Sequence, residues 1–562
     1  LADYLRAFIP RMSSPCLFEM KPAWPVFLAL IIVLVVPILL RPQAPRVEKT
    51  DIAVLTIITP HSEAIRSEFG RAFGAAHWEK TGQRVQIDWR SPGGTSEISR
   101  MISSSYLASF QYYWTAKLGR KWNRVVETSF DNPQVQIGGN PLRDGLAEQA
   151  RREFLGSEVG CKMDLFFGGG AYDFQQQARV GRIVDAGFLG SHPELFGSGV
   201  GEIPPMLSGE PCWDEKGRWI GTAFSGFGIC SNRDALARIG VDVAPARWSE
   251  LGDARFFHEL AIANPIQSGS INKAFEMLIQ EQMSEAVREF SKKGDGEVGR
   301  LDESIGVAEG WKRAQQLLMR IGANARYFTD ASTKIALDVE SGEAAAGMVI
   351  DFYGRSQSEF VRKPDGSSRM DYVNAVDGTS IGVDPIALFR GAPNPQLAKE
   401  FMAFVLSLAG QKLWNWKVET PDGPKRYALR RLPILPSLYR EEYRPLRSDP
   451  DVNPYSTASG FIYHPSWTGA LFRSIAFTFR VMCIDPHEEL TEAWRALIAA
   501  GFPAEALATF SDVSAVDYGM ASGRMREVLA GDKVGEVELA RELAEHFSKQ
   551  YRRAGELARA GR

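Results

Sequence analysis

The 562-residue sequence predicts an α/β protein built on parallel sheets and followed by a helical tail. Three observations carry this. Short β-branched and aliphatic runs alternate with segments of helical period, glycine-rich turns stand where runs give way to helices, and strand signals stop beyond about Leu438. A chain of this length exceeds one average domain, and two to four compact units are expected at roughly 100 to 200 residues each.

The elements follow in order. "DIAVLTII" reads as a buried strand, and "SEAIRSEFGRAFGAAHWEKTG" as the helix after it. "RVQIDWR" is a second strand, "SPGGTSEISRMI" a glycine-rich loop opening a helix, and "MDLFFGGGAYDF" a third strand ending in a glycine turn. Residues 103–160, rich in aromatic and basic residues, are too long for a structureless loop and predict an inserted helical elaboration with a solvated charged face. "GRWIGTAFSGFGICSN", "ELAIANP", "SGEAAAGMVIDFYG" and "YVNAVDGTSIGVDPIALF" supply further strands. "PHEELTEAWRALIAAGF" and "VELARELAEHFSKQYRRAGELARA" are amphipathic helices of the tail.

The N-terminus carries "AWPVFLALIIVLVVPILL" from Ala23 to Leu40, uncharged and flanked by Lys21, Arg41 and Arg46. It reads as an export signal, cleaved or kept as a single membrane anchor, which places the rest of the chain outside the cytoplasmic membrane. Five scattered cysteines without CxxC spacing (Cys16, Cys161, Cys212, Cys230, Cys483) imply neither a metal cluster nor a disulfide framework, although a Cys212–Cys230 bridge stays open. A formal net charge of -3 gives no argument for a nucleic-acid partner.

The order of "TIITPHSEAI", "SPGGTSE", "DLFFGGGAYDF", "GRIVDAGFL", "GTAFSGFGICSNRDAL", "PARWSELGDARFFHELAIANPIQSGS", "SGEAAAGMVIDFYGR" and "GTSIGVDPIALFRGAPNPQLAKEFMAFVLS" resembles the solute-binding proteins of ABC importers. The likeness is to the type 2 periplasmic binding proteins of the iron(III)-, thiamine- and phosphonate-binding group, over about Asp51 to Leu438. It implies a two-lobe clam-shell that closes on its ligand. The implied division is 1–22 leader, 23–42 signal or anchor, 51–225 first part of lobe 1 with the 103–160 insertion, 226–377 lobe 2, 378–445 second part of lobe 1, and 446–562 helical extension. The crossings are expected near Gly221–Ser231 and Asp377–Asp384. A monomeric, extracytoplasmic protein is implied, with a small molecule or ion as ligand and ABC permease subunits as partners.

Ser268, Gly269 and Ser270 stand between a strand and a helix. They serve as a helix cap, as an anion site built on free N–H groups, or as both. Gly94, Thr95 and Ser96 repeat the pattern, and Gly169 and Gly170 add a close-approach turn. His61 follows the first strand, and Ser225 lies in the first crossing. Asp351 at a strand end binds a ligand ammonium or hydroxyl, or forms a structural salt bridge. Tyr353 stands where iron-binding relatives carry two adjacent tyrosines; with Phe352 in place of one, iron(III) as the transported ligand would need His61, Tyr172 and Tyr353 together. The favoured ligand is a small polar molecule with a phosphonate or phosphate group, and no cofactor is expected. Neither HExxH nor a Ser/His/Asp set at a known spacing argues for an enzyme. The remaining reading is a membrane-anchored sensor or scaffold acting through the tail and the insertion.

Overall fold

The structure is a computed structural model that describes residues 52–199, 201–293, 300–458, 460–531 and 533–562. The segment 23–40, with the anchor assigned to it, lies outside the described residues. Among those described, no helix is long and apolar enough to cross a membrane.

The first sheet runs β14 (Leu432–Pro433), β7 (Ile220–Ser225), β13 (Gly382–Phe389), β3 (Leu165–Phe167), β1 (Ala53–Ile58), β2 (Val85–Arg90), with β4 (Ile183–Val184) beside β13. β1 is parallel to β2 and β3, while β13 is antiparallel to β3 and β7. Interior strands such as β7 are buried at every position, which is why they read as unbroken apolar runs. The edge strand β2 instead alternates Val85, Ile87 and Trp89 with Gln86, Asp88 and Arg90.

The second sheet runs β10 (Ala325–Thr329), β9 (Leu260–Ala263), β11 (Ala346–Ile350), β8 (Phe227–Asn232), β12 (Met370–Asn374). It is parallel across β10, β9 and β11, and antiparallel where β8 enters. Only Gly226 separates β7 of the first sheet from β8 of the second, and residues 375–381 lead back from β12 to β13. Two mixed sheets joined by crossing strands form the two-lobed α/β arrangement that the resemblance implies. β10 was not legible because "ARYFT" is a five-residue edge strand interrupted by an arginine, too short for a period to show.

The insertion folds as helices Arg124–Ser129 and Leu146–Gly156 against the end of Thr95–Tyr112. Its phenylalanines point inward, while Tyr112 is exposed: Phe110 stacks on Phe130 at 4.7 Å, and Phe154 meets both edge-on. The tail is no appendage. It leaves lobe 1 after Tyr455, whose ring packs on Phe224, and joins lobe 2 at Tyr463, whose hydroxyl donates to Glu276. From there its helices share one hydrophobic core with the second sheet. Trp494 Nε1 donates to Asn324 Oδ1 at 2.9 Å, Trp311 Nε1 donates to the Val516 carbonyl at 2.9 Å, and Cys483 packs against Gly322. Cys212 belongs to the core of lobe 1 and Cys230 to that of lobe 2, so the open disulfide is excluded; both are free thiols.

The helices Gly269–Lys293 and Arg300–Asn324 approach so closely that a Cβ on Gly310 would lie 2.3 Å from Met283 Cα. Gly310→Val is expected to force them apart at a cost of about 1–3 kcal/mol, read as a lower urea midpoint. An unchanged midpoint would show that the close approach is not needed.

Candidate functional site

A cavity of about 510 Å³ lies between the lobes. Its walls are the loops that follow parallel strands, the position where open α/β sheets present their ligands. Lobe 1 supplies His61 after β1, Gly94 and Thr95 after β2, and Gly169, Gly170 and Tyr172 after β3. Lobe 2 supplies Ser268, Gly269 and Ser270 after β9, Ala331 and Ser332 after β10, and Ile350, Phe352 and Tyr353 after β11. Ser225, Phe227, Ser380, Asp384 and Arg431 line the seam.

The two jaws touch. A Cβ on Gly94 would lie 3.3 Å from the Gln267 carbonyl oxygen, and one on Gly269 would lie 2.8 Å from Thr95 Oγ1. Glycine lets the Gly94 backbone meet that of Gln267 and leaves room for the Thr95 hydroxyl at Gly269, so the two jaws are in contact. Gly168, at φ +85, allows the turn after β3 to lie against His61, where a Cβ would come within 2.3 Å of Nε2.

Four helix starts open on this cavity without a side chain bonded to the first turn; at a fifth, Asp351–Phe360 after Ile350, the Asp351 carboxylate takes the Phe352 N–H. The helices Glu63–Thr81, Thr95–Tyr112, Ala171–Val180 and Ser332–Ser341 have Ser62, Gly94, Gly170 and Ala331 at their N-caps, and none of these side chains accepts from the first turn. All four residues line the cavity. Elsewhere, Asn123, Asn232 and Ser407 cap their helices, while Gly145, Asn394 and Pro503 do not. Free N–H groups and the positive ends of several helix dipoles therefore face one enclosed space. Ser268 Oγ reaches the Ile271 N–H at 3.4 Å, a long and weak cap for the helix that begins at Gly269.

A fixed cation reinforces this field. Arg431 is 1% exposed; its Nη2 lies 2.6 Å from Asp384 Oδ2 and donates to Ser225 Oγ at 2.5 Å, and its guanidinium lies 4.1 Å from the Phe352 ring. Burial opposes charge on Asp384, but Arg431 and His61 outweigh it and hold the carboxyl below its ordinary range. Lys273 is held charged, against burial, by Glu210 at 2.7 Å and Glu276 at 2.9 Å. Among the acidic residues of the cavity, Glu97 is paired with Arg100, and Asp173 is pushed up to about 6 by burial against the hydroxyls of Thr95 and Ser99.

Of the residues singled out from sequence, His61, Gly94, Thr95, Gly169, Gly170, Ser225, Ser268, Gly269, Ser270 and Tyr353 come together on the cavity wall, as does Tyr172. Two do not. Ser96 is not among the lining residues, its place one position into the helix turning it from the cavity. Asp351 faces away: it is 1% exposed, accepts from Arg355 Nη2 at 2.8 Å and from its neighbour's N–H at Phe352, and is the structural salt bridge rather than a ligand contact. Arg431, Asp384, Lys273, Glu210 and Phe472 were missed. The acidic residue interrupting the apolar run "GVDPIALF" was the one local signal for Asp384. Residues Gly378 to Gly382 spell GxSxG, but they link β12 to β13 without a following helix, and Ser380 Oγ donates to Glu210, not to a histidine.

His61 Nε2 lies 3.7 Å from Asp384 Oδ2, beyond direct hydrogen-bond reach. Burial, aided by Arg431 and opposed by Asp384, keeps its pKa below the ordinary 6.5. The unfolded chain therefore takes up this proton first, and the stability tied to neutral His61 declines as pH falls from about 6.5 toward the lower folded value. The stability gap between wild type and His61→Gln should be constant above about pH 7 and shrink below pH 6.5, measured by urea unfolding across pH. A gap that does not change with pH would contradict the assignment.

Residues 161–421 match the family described as bacterial extracellular solute-binding protein. An uncharacterized protein of Haemophilus influenzae is 24% identical over 255 residues, which is 45% of this chain; the chain spans 61% of that relative's length. Among solved structures, the periplasmic binding protein AfuA of Actinobacillus pleuropneumoniae, with exogenous fructose-6-phosphate bound, is 16% identical. It covers 64% of this chain and 81% of its own, at a TM-score of 0.40. Iron-bound HitA of Pseudomonas aeruginosa is 15% identical and covers 76% and 99%, at a TM-score of 0.41. Over residues 161–421 the chain is thus similar to the bacterial extracellular solute-binding proteins.

Proposed function

We propose that the protein is the extracytoplasmic solute-binding component of an ABC importer, that it captures a small molecule carrying a phosphate or phosphonate group by closing its lobes, and that it delivers the ligand to permease subunits. The observation that carries the choice of ligand is the set of four uncapped helix N-termini around one cavity that also holds buried Arg431. An oxyanion satisfies several of those N–H groups at once and leaves no counter-charge to be buried with it. Phe227, Ile350, Phe352 and Val383 give the rest of the ligand an apolar wall. Export through the 23–40 segment belongs to the same proposal.

One observation favours a second ligand: His61, Tyr172 and Tyr353, the set that iron(III) would need, all line this cavity. Against it, burial pushes the Tyr172 phenol up to about 12 and raises Tyr353, opposing the phenolates that a hard cation needs. A visible charge-transfer band on adding ferric ion, lost in Tyr353→Phe, would replace the oxyanion reading. The scaffold reading has less to stand on, because the apolar faces of the tail are buried against lobe 2.

Titration calorimetry with inorganic phosphate, an aminoalkyl phosphonate and a sugar phosphate is expected to find at least one binder, and Arg431→Gln should weaken it by roughly 30-fold or more. Thermal melting of the variant alone separates loss of binding from loss of fold. If no oxyanion binds or raises the melting temperature, the ligand class is wrong.

A further inference from the structure

We infer that the C-terminal helical module is a working part of the clam-shell: it carries Phe472 to the cleft as a latch against Tyr172 of lobe 1, so that closure depends on this aromatic pair. The inference rests on the lobe-closure reading above but not on the nature of the ligand.

Phe472 lies outside the segment 161–421 that matches the family, yet it lines the cavity between the lobes. Its ring stacks on that of Tyr172, with centroids 4.5 Å apart and planes 30° apart. The two rings belong to opposite jaws. Tyr172 is in the first turn of the Ala171–Val180 helix, which packs in the core of lobe 1 through Phe174. Phe472 opens the Phe472–Phe479 helix, whose Ile475, Phe477 and Phe479 belong to the core of lobe 2. Its backbone is tied there directly, since buried Asn272 of the Gly269–Lys293 helix donates from Nδ2 to the Phe472 carbonyl at 2.8 Å. The module therefore moves with lobe 2, and the stack exists only when the lobes are shut.

The same module prepares a second bond across the cleft. Lys273 of lobe 2 pairs with Glu210, which sits on the short hairpin of β5 (Met206–Leu207) and β6 (Glu210–Pro211). Tyr463 holds that ammonium in place, with its ring 4.0 Å from Nζ and its hydroxyl donating to Glu276 Oε1 at 2.8 Å. The Tyr463 N–H also donates to the Ser208 carbonyl of the hairpin at 2.8 Å. Residues past 455 thus bear on an aromatic and an ionic contact across this wall, and the Tyr463–Ser208 bond is a further one.

The test reads closure without a ligand. Cys161, Cys212, Cys230 and Cys483 are buried, so a Cys16→Ser background accepts spin labels at Glu79→Cys on lobe 1 and Val243→Cys on lobe 2, both exposed. Pulsed dipolar spectroscopy on the full chain should show a short interlobe distance. Phe472→Ala and Tyr172→Ala should each lower the ratio of short to long populations by about 3- to 10-fold, and the double variant no further. Tyr172→Ala makes the test independent of any damage to the module's core. Superimposable distributions in wild type and both variants, strictly additive effects, or a wild type lacking the short population would each overturn the latch. Failure of every oxyanion to bind, with the distance changes intact, would count against the proposed ligand and leave the latch standing.

Discussion

The closed form is organised around one buried cation. Taking a guanidinium out of water costs several kcal/mol unless it is paired and its donors are satisfied, and Arg431 is met by partners from both halves of the molecule. Asp384 and Ser225 come from the seam strands of lobe 1, and Trp414 stands 5.6 Å away on the same side; Phe352 approaches from lobe 2. His61, beside Asp384, packs edge-on to Phe167 at 4.6 Å and to Trp414 at 5.7 Å, so the surroundings of the ion pair rest on the aromatic core of lobe 1. Arg431 Nε and both ring nitrogens of His61 make no protein hydrogen bond. Polar atoms left free beside an enclosed space are where a bound solute exerts its leverage.

The lobes are tied by more than the backbone that crosses between them. Arg355 of lobe 2 bonds Asp351 of its own helix at 2.8 Å, reaches the Arg430 carbonyl of lobe 1 at 3.1 Å, and lies 3.6 Å from Asp449, which Arg430 pairs at 2.7 Å. The passage from Tyr455 to Tyr463 adds a third covalent link to those at Gly226 and 375–381. A clam-shell held at three places has fewer ways to open than one held at two.

Much of this was legible in the sequence because local pattern and tertiary role coincide. β1, β2, β3 and β9 are short, apolar or alternating, and bounded by turn residues, and the glycine and hydroxyl loops after them lie where parallel-sheet topology puts ligands. What escaped depends on partners far along the chain. Arg431 reads as the second of two basic residues before a short apolar stretch, and nothing local tells it from the surface arginines. Phe472 reads as one more apolar position of an amphipathic helix. Asp351 looked like a ligand group because it ends a strand at the cleft, but the arginine four residues on, one helical turn away, claims it. The aromatic content of the insertion was plain, whereas its inward direction was set only by Phe110, Phe130 and Phe154 meeting one another.

The four described cysteines bear on where this chain can mature. Each is buried, no two are joined, and burial pushes the thiols of Cys161, Cys212 and Cys230 up to about 12 and raises Cys483 as well. A thiol that cannot ionise is a poor nucleophile toward disulfides, so these four offer oxidoreductases little to react with once the chain has folded. The four sulfur atoms act as small apolar packing, the same in a reducing or an oxidising compartment. For these four thiols, vulnerability to oxidation is confined to the interval before folding and is set by how fast the two cores close.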